Sequence, residues 1–157
     1  MNKLITICIC LILCCSIFVS CTTDNTGRPV KEFIGMSYDE FCEKIPENHR
    51  SQYYQFLFFS DSNGNPYAAC LGQTEGTYTT VVECYSYSKN KFDTSVASFE
   101  QIVPGMTIFE VVEKVGIPMD AGTFGLATLV FQGDDGEYVI VLDAKTNNET
   151  VAEINRR

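Results

Sequence analysis

Cysteine and histidine are the residues of this 157-residue chain best suited to nucleophilic or metal chemistry, and it has eight of the first and one of the second. A nucleophilic thiol needs a base beside it. Cys42 falls on the apolar stripe of a helix, whereas His49 follows Pro46 in a loop, so the pair is not a productive one. Asp61-Ser62-Asn63-Gly64-Asn65 opens like a calcium-binding loop, but position six is Pro66 instead of Gly and position twelve is Gly72 instead of Glu, which excludes an EF-hand. The segment reads as a turn. Asp134-Asp135, beside Gly136, reads as a second turn. No Gly-x-Ser-x-Gly, P-loop or dinucleotide glycine motif occurs, and no carboxylate pair has the flanking context of an acid–base couple. The expectation is a chain that binds and does not catalyse, with no catalytic residue, metal or cofactor.

Charge narrows the partners. Eleven Lys and Arg against twenty Asp and Glu give a net charge of −9, so the chain has no basic face for a phosphate backbone, which excludes nucleic acid. Hydrophobic residues make up 45%, enough for a packed globule.

The N-terminus assigns location. Lys3 precedes an apolar run over residues 4–19, shorter than the roughly 20 residues a spanning helix needs and suited to a signal-peptide core. The run ends at Ser20-Cys21 and gives way to polar Thr22-Thr23-Asp24-Asn25. A small residue before a cysteine at that point resembles the lipobox of bacterial lipoproteins, with Phe18 where the family usually has Leu. The resemblance implies lipidation of Cys21 and a chain held on the extracytoplasmic face of the cell membrane or outer membrane. Cys8, Cys10, Cys14 and Cys15 leave with the peptide. The mature chain then carries ten basic and twenty acidic residues, a charge of −10.

What remains contains a repeat. Gly35-Met36-Ser37 and Gly105-Met106-Thr107 lie 70 residues apart, and each opens a capping box, Ser37-x-x-Glu40 and Thr107-x-x-Glu110. Each box is followed by one stripe at helical spacing, Tyr38/Phe41/Cys42/Ile45 and Ile108/Val111/Val112/Val115. Pro46 ends the first helix; Gly116 and Pro118 end the second. Strands are expected over 53–59, 67–71 and 78–87, and again over 126–131, 138–142 and 151–154. The predicted fold is α+β: two tandem repeats, each a short helical segment followed by an antiparallel β-sheet meander. The organisation is a signal peptide (1–20), a flexible tether (21–31), a first repeat (32–87), a linker (88–98) and a second repeat (99–157).

Gly-Met-Ser/Thr, a short helix and an antiparallel sheet together resemble the tandem-repeat β-lactamase inhibitor proteins and, more distantly, the SmpA/OmlA lipoproteins of the outer-membrane assembly machinery. Residues 99–107 carry the likeness best, and 31–45 echo it. The resemblance implies a protein-binding module that meets its partner through hairpin tips. Here those are Asn63, Asn65 and Tyr67 in the first copy, and Asp134, Asp135, Glu137 and Tyr138 in the second. The first tip is neutral where the inhibitors carry an acidic residue. Tyr67 and Tyr138 would be the anchors, and the acidic second tip would steer a basic partner. The partner is expected to be an envelope protein or an extracellular enzyme. The alternatives are a structural or assembly lipoprotein and a small-ligand binder.

The last alternative rests on aromatics. In residues 53–59 both parities are apolar, Tyr54/Phe56/Phe58 against Tyr53/Leu57/Phe59, so one face covers its own helix. The other meets the second repeat or, with Tyr67, Tyr85 and Tyr87, a ligand. Three cysteines stay in the mature body at positions whose copies are aliphatic, Cys42 on Val112, Cys70 on Val141 and Cys84 on Ile154, which predicts buried free thiols. A turn over 72–76 would set Cys70 opposite Tyr78 and leave Cys84 roughly 20 Å away along the strand.

Overall fold

The computed structural model describes residues 27–122, 126–147 and 149–157. Two helices start as the capping boxes require. In α1 (Tyr38–Lys44) the Ser37 hydroxyl accepts from the Glu40 N–H, and the Glu40 carboxylate accepts from the Ser37 N–H at 2.9 Å. In α3 (Ile108–Val115) Thr107 and Glu110 do the same, at 2.7 Å. A short α2 (Val96–Phe99) lies between them. Two orphan donors at each N-terminus are thereby satisfied. The last carbonyls of α1 are taken by the Arg50 guanidinium, which bonds Cys42 O at 3.0 Å and also Ile45 O. Gly116 closes α3 at φ 94°, a conformation that favours glycine.

The strands form two antiparallel sheets. The first contains β1 (Arg28–Pro29), β2 (Arg50–Tyr53), β3 (Phe56–Ser60), β4 (Pro66–Thr74) and β5 (Thr77–Ser86), in the order β1-β5-β4-β3-β2. The second contains β6 (Asp120–Gly122), β7 (Thr128–Gly133), β8 (Gly136–Leu142) and β9 (Val151–Arg156), in sequence order. Ladder β4–β5 pairs Cys70 with Glu83, then shifts to pair Leu71 with Val81; ladder β8–β9 pairs Val141 with Glu153, then shifts to pair Leu142 with Val151. Just past each shift the pre-helix loop docks. Gly35 N–H donates to Val81 O and Gly105 N–H to Val151 O, both at 2.8 Å.

Four expectations are corrected here. Residues 53–59 are not one strand but the hairpin β2–β3, turning at Tyr54-Gln55. Tyr54 takes φ 56°, uncommon without glycine. Its hydroxyl offsets that strain by donating to Gly122 O (2.8 Å) and accepting from the Thr128 N–H (3.2 Å). The tether over 21–31 is not free at its end: Arg28 and Pro29 pair with Ser86 and Tyr85 as an edge strand, the place a sheet tolerates proline. The linker over 88–98 contains most of α2, because Ser98 and Phe99 are buried. The turn between β4 and β5 is only Glu75-Gly76, so β4 runs past Gly72 to Thr74 and β5 starts at Thr77.

That last point reorders the cysteines. Cys84 pairs with Ala69 and Cys70 with Glu83, so the two are neighbours in register and not roughly 20 Å apart. They still form no bond, because adjacent strand positions face opposite ways. Cys70 packs with Phe56 and Phe58, Cys84 with Phe41 and Phe59. Cys42, on α1, is half-buried.

Burial pushes the thiols of Cys70 and Cys84 up to about 12. A thiol whose folded pKa exceeds its unfolded value of about 8.5 leaves stability intact below that value and erodes it as pH rises toward the folded value. The unfolded chain then holds fewer protons, and each thiol costs about 1.4 kcal/mol per pH unit. Stability is therefore expected to fall between about pH 9 and 12, and less steeply in Cys84→Ala than in the parent. Equal slopes in urea titrations of the two would contradict the burial of this thiol.

The helices and sheets alternate as layers. Phe41 of α1 meets Phe59 at 4.9 Å and Phe33 at 5.8 Å on one face of the first sheet, beside buried Leu57, Ala69, Leu71 and Val81. The opposite face, with Phe56, Phe58, Ala68 and Cys70, belongs to a larger cluster that continues through Ile108, Val111, Val112 and Val115 of α3 to Leu129, Phe131, Ile140 and Leu142 of the second sheet. Phe109 of α3 stands edge-on to Phe56 (6.0 Å) and against Tyr85 (4.8 Å). α3 is thus flanked by both sheets. The first sheet is covered on both faces, which explains why both parities of β3 are apolar.

Candidate functional site

At the first hairpin tip, Asn63 and Asn65 are exposed, and Asp61 organises the loop. Its Oδ1 accepts from the backbone N–H groups of Asn63 (2.8 Å) and Asn65 (2.9 Å), and its Oδ2 from the Asn65 side-chain amide (2.9 Å). The Asn65 amide, foremost, holds this carboxyl below the usual carboxylate range. Tyr67 donates to Asp61 Oδ2 at 3.4 Å while its ring stacks on Phe59 at 4.9 Å.

The second tip is also used internally. Asp134 is exposed and accepts from the Thr94 hydroxyl at 2.6 Å. Asp135 pairs with Arg156 at 2.7 Å and accepts from the Tyr138 hydroxyl at 2.9 Å. Glu137, half-exposed, lies 4.0 Å from Arg157. The Tyr138 ring stacks on Phe99, centroids 3.8 Å apart, and covers Gly133, where a Cβ would come within 2.6 Å of it. Tyr67 and Tyr138, expected as anchors for a partner, are therefore anchors of the chain's own packing. Steering charge is left chiefly to Asp134, since Asp135 pairs with Arg156 and Glu137 lies beside Arg157. Cys21 lies outside the described residues.

The aromatic face that offered itself to a ligand is occupied. Phe56 and Phe58 are 1% and 2% exposed beneath α3, and the Tyr87 hydroxyl donates to Phe109 O at 3.3 Å. A recess of about 220 Å³ remains where β2 and β3 meet Ile117. Asn48, His49, Ser51 and Ser60 line it, and His49 is exposed on a single 3-10 turn. The Arg50 guanidinium, which also lines it, spends donors on the carbonyls of Cys42 and Ile45 at the end of α1.

A broader surface is the outward face of the second sheet. Along β8, Tyr138 is buried against Phe99 of α2 and Ile140 and Leu142 lie in the cluster with α3, while Glu137, Val139 and Val141 alternate with them and are half-exposed. Exposed Gln132 on β7 and exposed Glu153 and Asn155 on β9 flank the two valines, and Val130 of β7, opposite Val139, is buried on the same face. On the first sheet the face opposite that sheet's own helix is the one that receives α3. On the second sheet it presents valine rimmed by polar and charged groups, a composition suited to protein contact. Sequence reasoning missed this surface. Its signal was the alternation over 137–142, which marks a strand with one buried and one accessible face.

Comparison with protein-family models, with curated proteins and with solved structures returns no match to this chain.

Proposed function

We propose that the chain is a non-catalytic protein-binding module, lipid-anchored through Cys21 on the extracytoplasmic face of a bacterial membrane and built by duplication of a helix-plus-sheet unit. The duplication is supported by structure repeated at matching positions. Both capping boxes, both loop-to-strand contacts and both ladder shifts recur with offsets of 70 or 71 residues. It also supplies a functional logic. The first unit spends its free sheet face on α3 of the second, and the second unit keeps its own.

The observation that carries the binding role is that outward face, with Val139 and Val141 half-exposed amid Gln132, Glu137, Glu153 and Asn155. The role agrees with the inhibitor-like resemblance of residues 99–107, although the surface differs from the hairpin tips that the resemblance implied. The partner is an envelope protein or an extracellular enzyme with a mixed apolar and basic patch, because the chain is strongly acidic. The test is capture from native membranes with the full-length chain, its N-terminus checked by intact mass for lipid on Cys21. One protein recovered in near-equal amount supports the reading. Retention of a small molecule alone, or of nothing, overturns it.

A further inference from the structure

We infer that β9 is the seam of a symmetric dimer, pairing antiparallel with β9 of a second copy of this chain. The inference stands on the edge of the second sheet and is independent of the binding role proposed above. β9 ends that sheet, and among the described residues no strand pairs with its far side. The Arg157 N–H donates to Glu137 O at 2.8 Å, so position 157, and with it 155 and 153, turns its backbone groups toward β8. Ile154 and Arg156 therefore turn theirs outward. An edge of this kind is a template for another strand.

The first sheet shows such an edge in use. There the outward groups of β5 are covered by β1: Val30 N–H donates to Cys84 O at 2.9 Å, and Arg28 and Pro29 pair with Ser86 and Tyr85. Cys84 and Ser86 stand in the β4–β5 ladder where Ile154 and Arg156 stand in the β8–β9 ladder. No equivalent of β1 covers β9 among the described residues.

Charge selects a second copy as the occupant and fixes its register. A two-fold axis through Asn155 sets Ile154 opposite the partner's Arg156, so both outward backbone positions are satisfied. It also sets Glu153 opposite the partner's Arg157, twice by symmetry, on the exposed side of the strand. An axis through Glu153 would place like charges face to face. An axis through Ile154 would pair no opposite charges and would require Ala152, which the ladder with β8 skips. The Asn155 axis joins two second sheets edge to edge and sets their valine faces side by side.

The test is disulfide trapping of the full-length chain in native membranes. Asn155 on the axis is a non-hydrogen-bonded pair, with Cα atoms about 4.5 Å apart, within disulfide range. Asn155→Cys is expected to shift from monomer to covalent dimer on mild oxidation, measured against the parent chain with its own cysteines. Arg157→Glu added to that variant should abolish the dimer, and Glu153→Arg added in turn should restore it. All three positions are exposed, and the pair that Arg157 makes with Glu137 of its own chain at 4.0 Å is a solvent-exposed one, so thermal unfolding should shift only slightly and serves as the folding control. Dimer no greater than in the parent, failure of the charge swap to restore it, or cross-linking of Asn155→Cys to a different protein would overturn the inference.

Discussion

Phe56→Ala is expected to lower the unfolding free energy by about 3–5 kcal/mol, and to do so for both sheets at once. Phe56 is 1% exposed on β3, 6.3 Å from Phe58 and 6.0 Å from Phe109 of α3. Its cluster runs unbroken from the first sheet through α3 to Leu129, Phe131 and Ile140 of the second. Removing the ring forfeits its transfer free energy and opens a cavity between layers that hold each other in place. Against the roughly 5–15 kcal/mol that stabilises an ordinary domain, this is a large fraction. Urea unfolding followed by hydrogen exchange at β4 and β8 checks it, and one shared transition at a lower midpoint is expected. Loss confined to β4, with β8 unfolding as in the parent, would show that the sheets do not share a core.

Tyr138→Ala is expected to cost about 3 kcal/mol of stability, while Tyr138→Phe costs about 1. The alanine variant loses the stack on Phe99 and uncovers Gly133; the phenylalanine variant loses only the hydrogen bond to Asp135. Thermal unfolding of the two variants separates ring from hydroxyl. A binding anchor would behave otherwise. If Tyr138→Ala unfolded like the parent yet released the partner, the hairpin tip and not the sheet face would be the contact.

The parts of this fold that were legible in sequence are those fixed by local chemistry. Ser37-x-x-Glu40 and Thr107-x-x-Glu110 declare helix starts because the bonds they make lie within three residues, and the structure closes both. The turn at Tyr54 was hidden because its left-handed residue is not glycine and its compensation comes from Gly122 and Thr128, distant in sequence. β1 was hidden because two residues ending in proline carry no strand signal until an edge is there to receive them. The cysteine register failed on one turn: Gly72 and Gly76 look alike in sequence, but only Gly76 belongs to the hairpin loop. The site followed the same logic. Tyr67 and Tyr138 resemble anchors in any sequence, and which partner they grip depends on Phe59 and Phe99. Which sheet face stays open depends on where α3 lies, a choice that no local pattern encodes.

The central claim, protein recognition by the outward face of the second sheet, is tested most directly by capture from native membranes with Val139→Asp and Val141→Asp chains beside the parent. Both valines are half-exposed and Val141 stands opposite Glu153, so a carboxylate at either position costs some stability; thermal unfolding identifies the folded variants, and in these the carboxylate, desolvated in a complex, should lose the partner. Retention of the partner at parental levels by both folded variants would contradict the account.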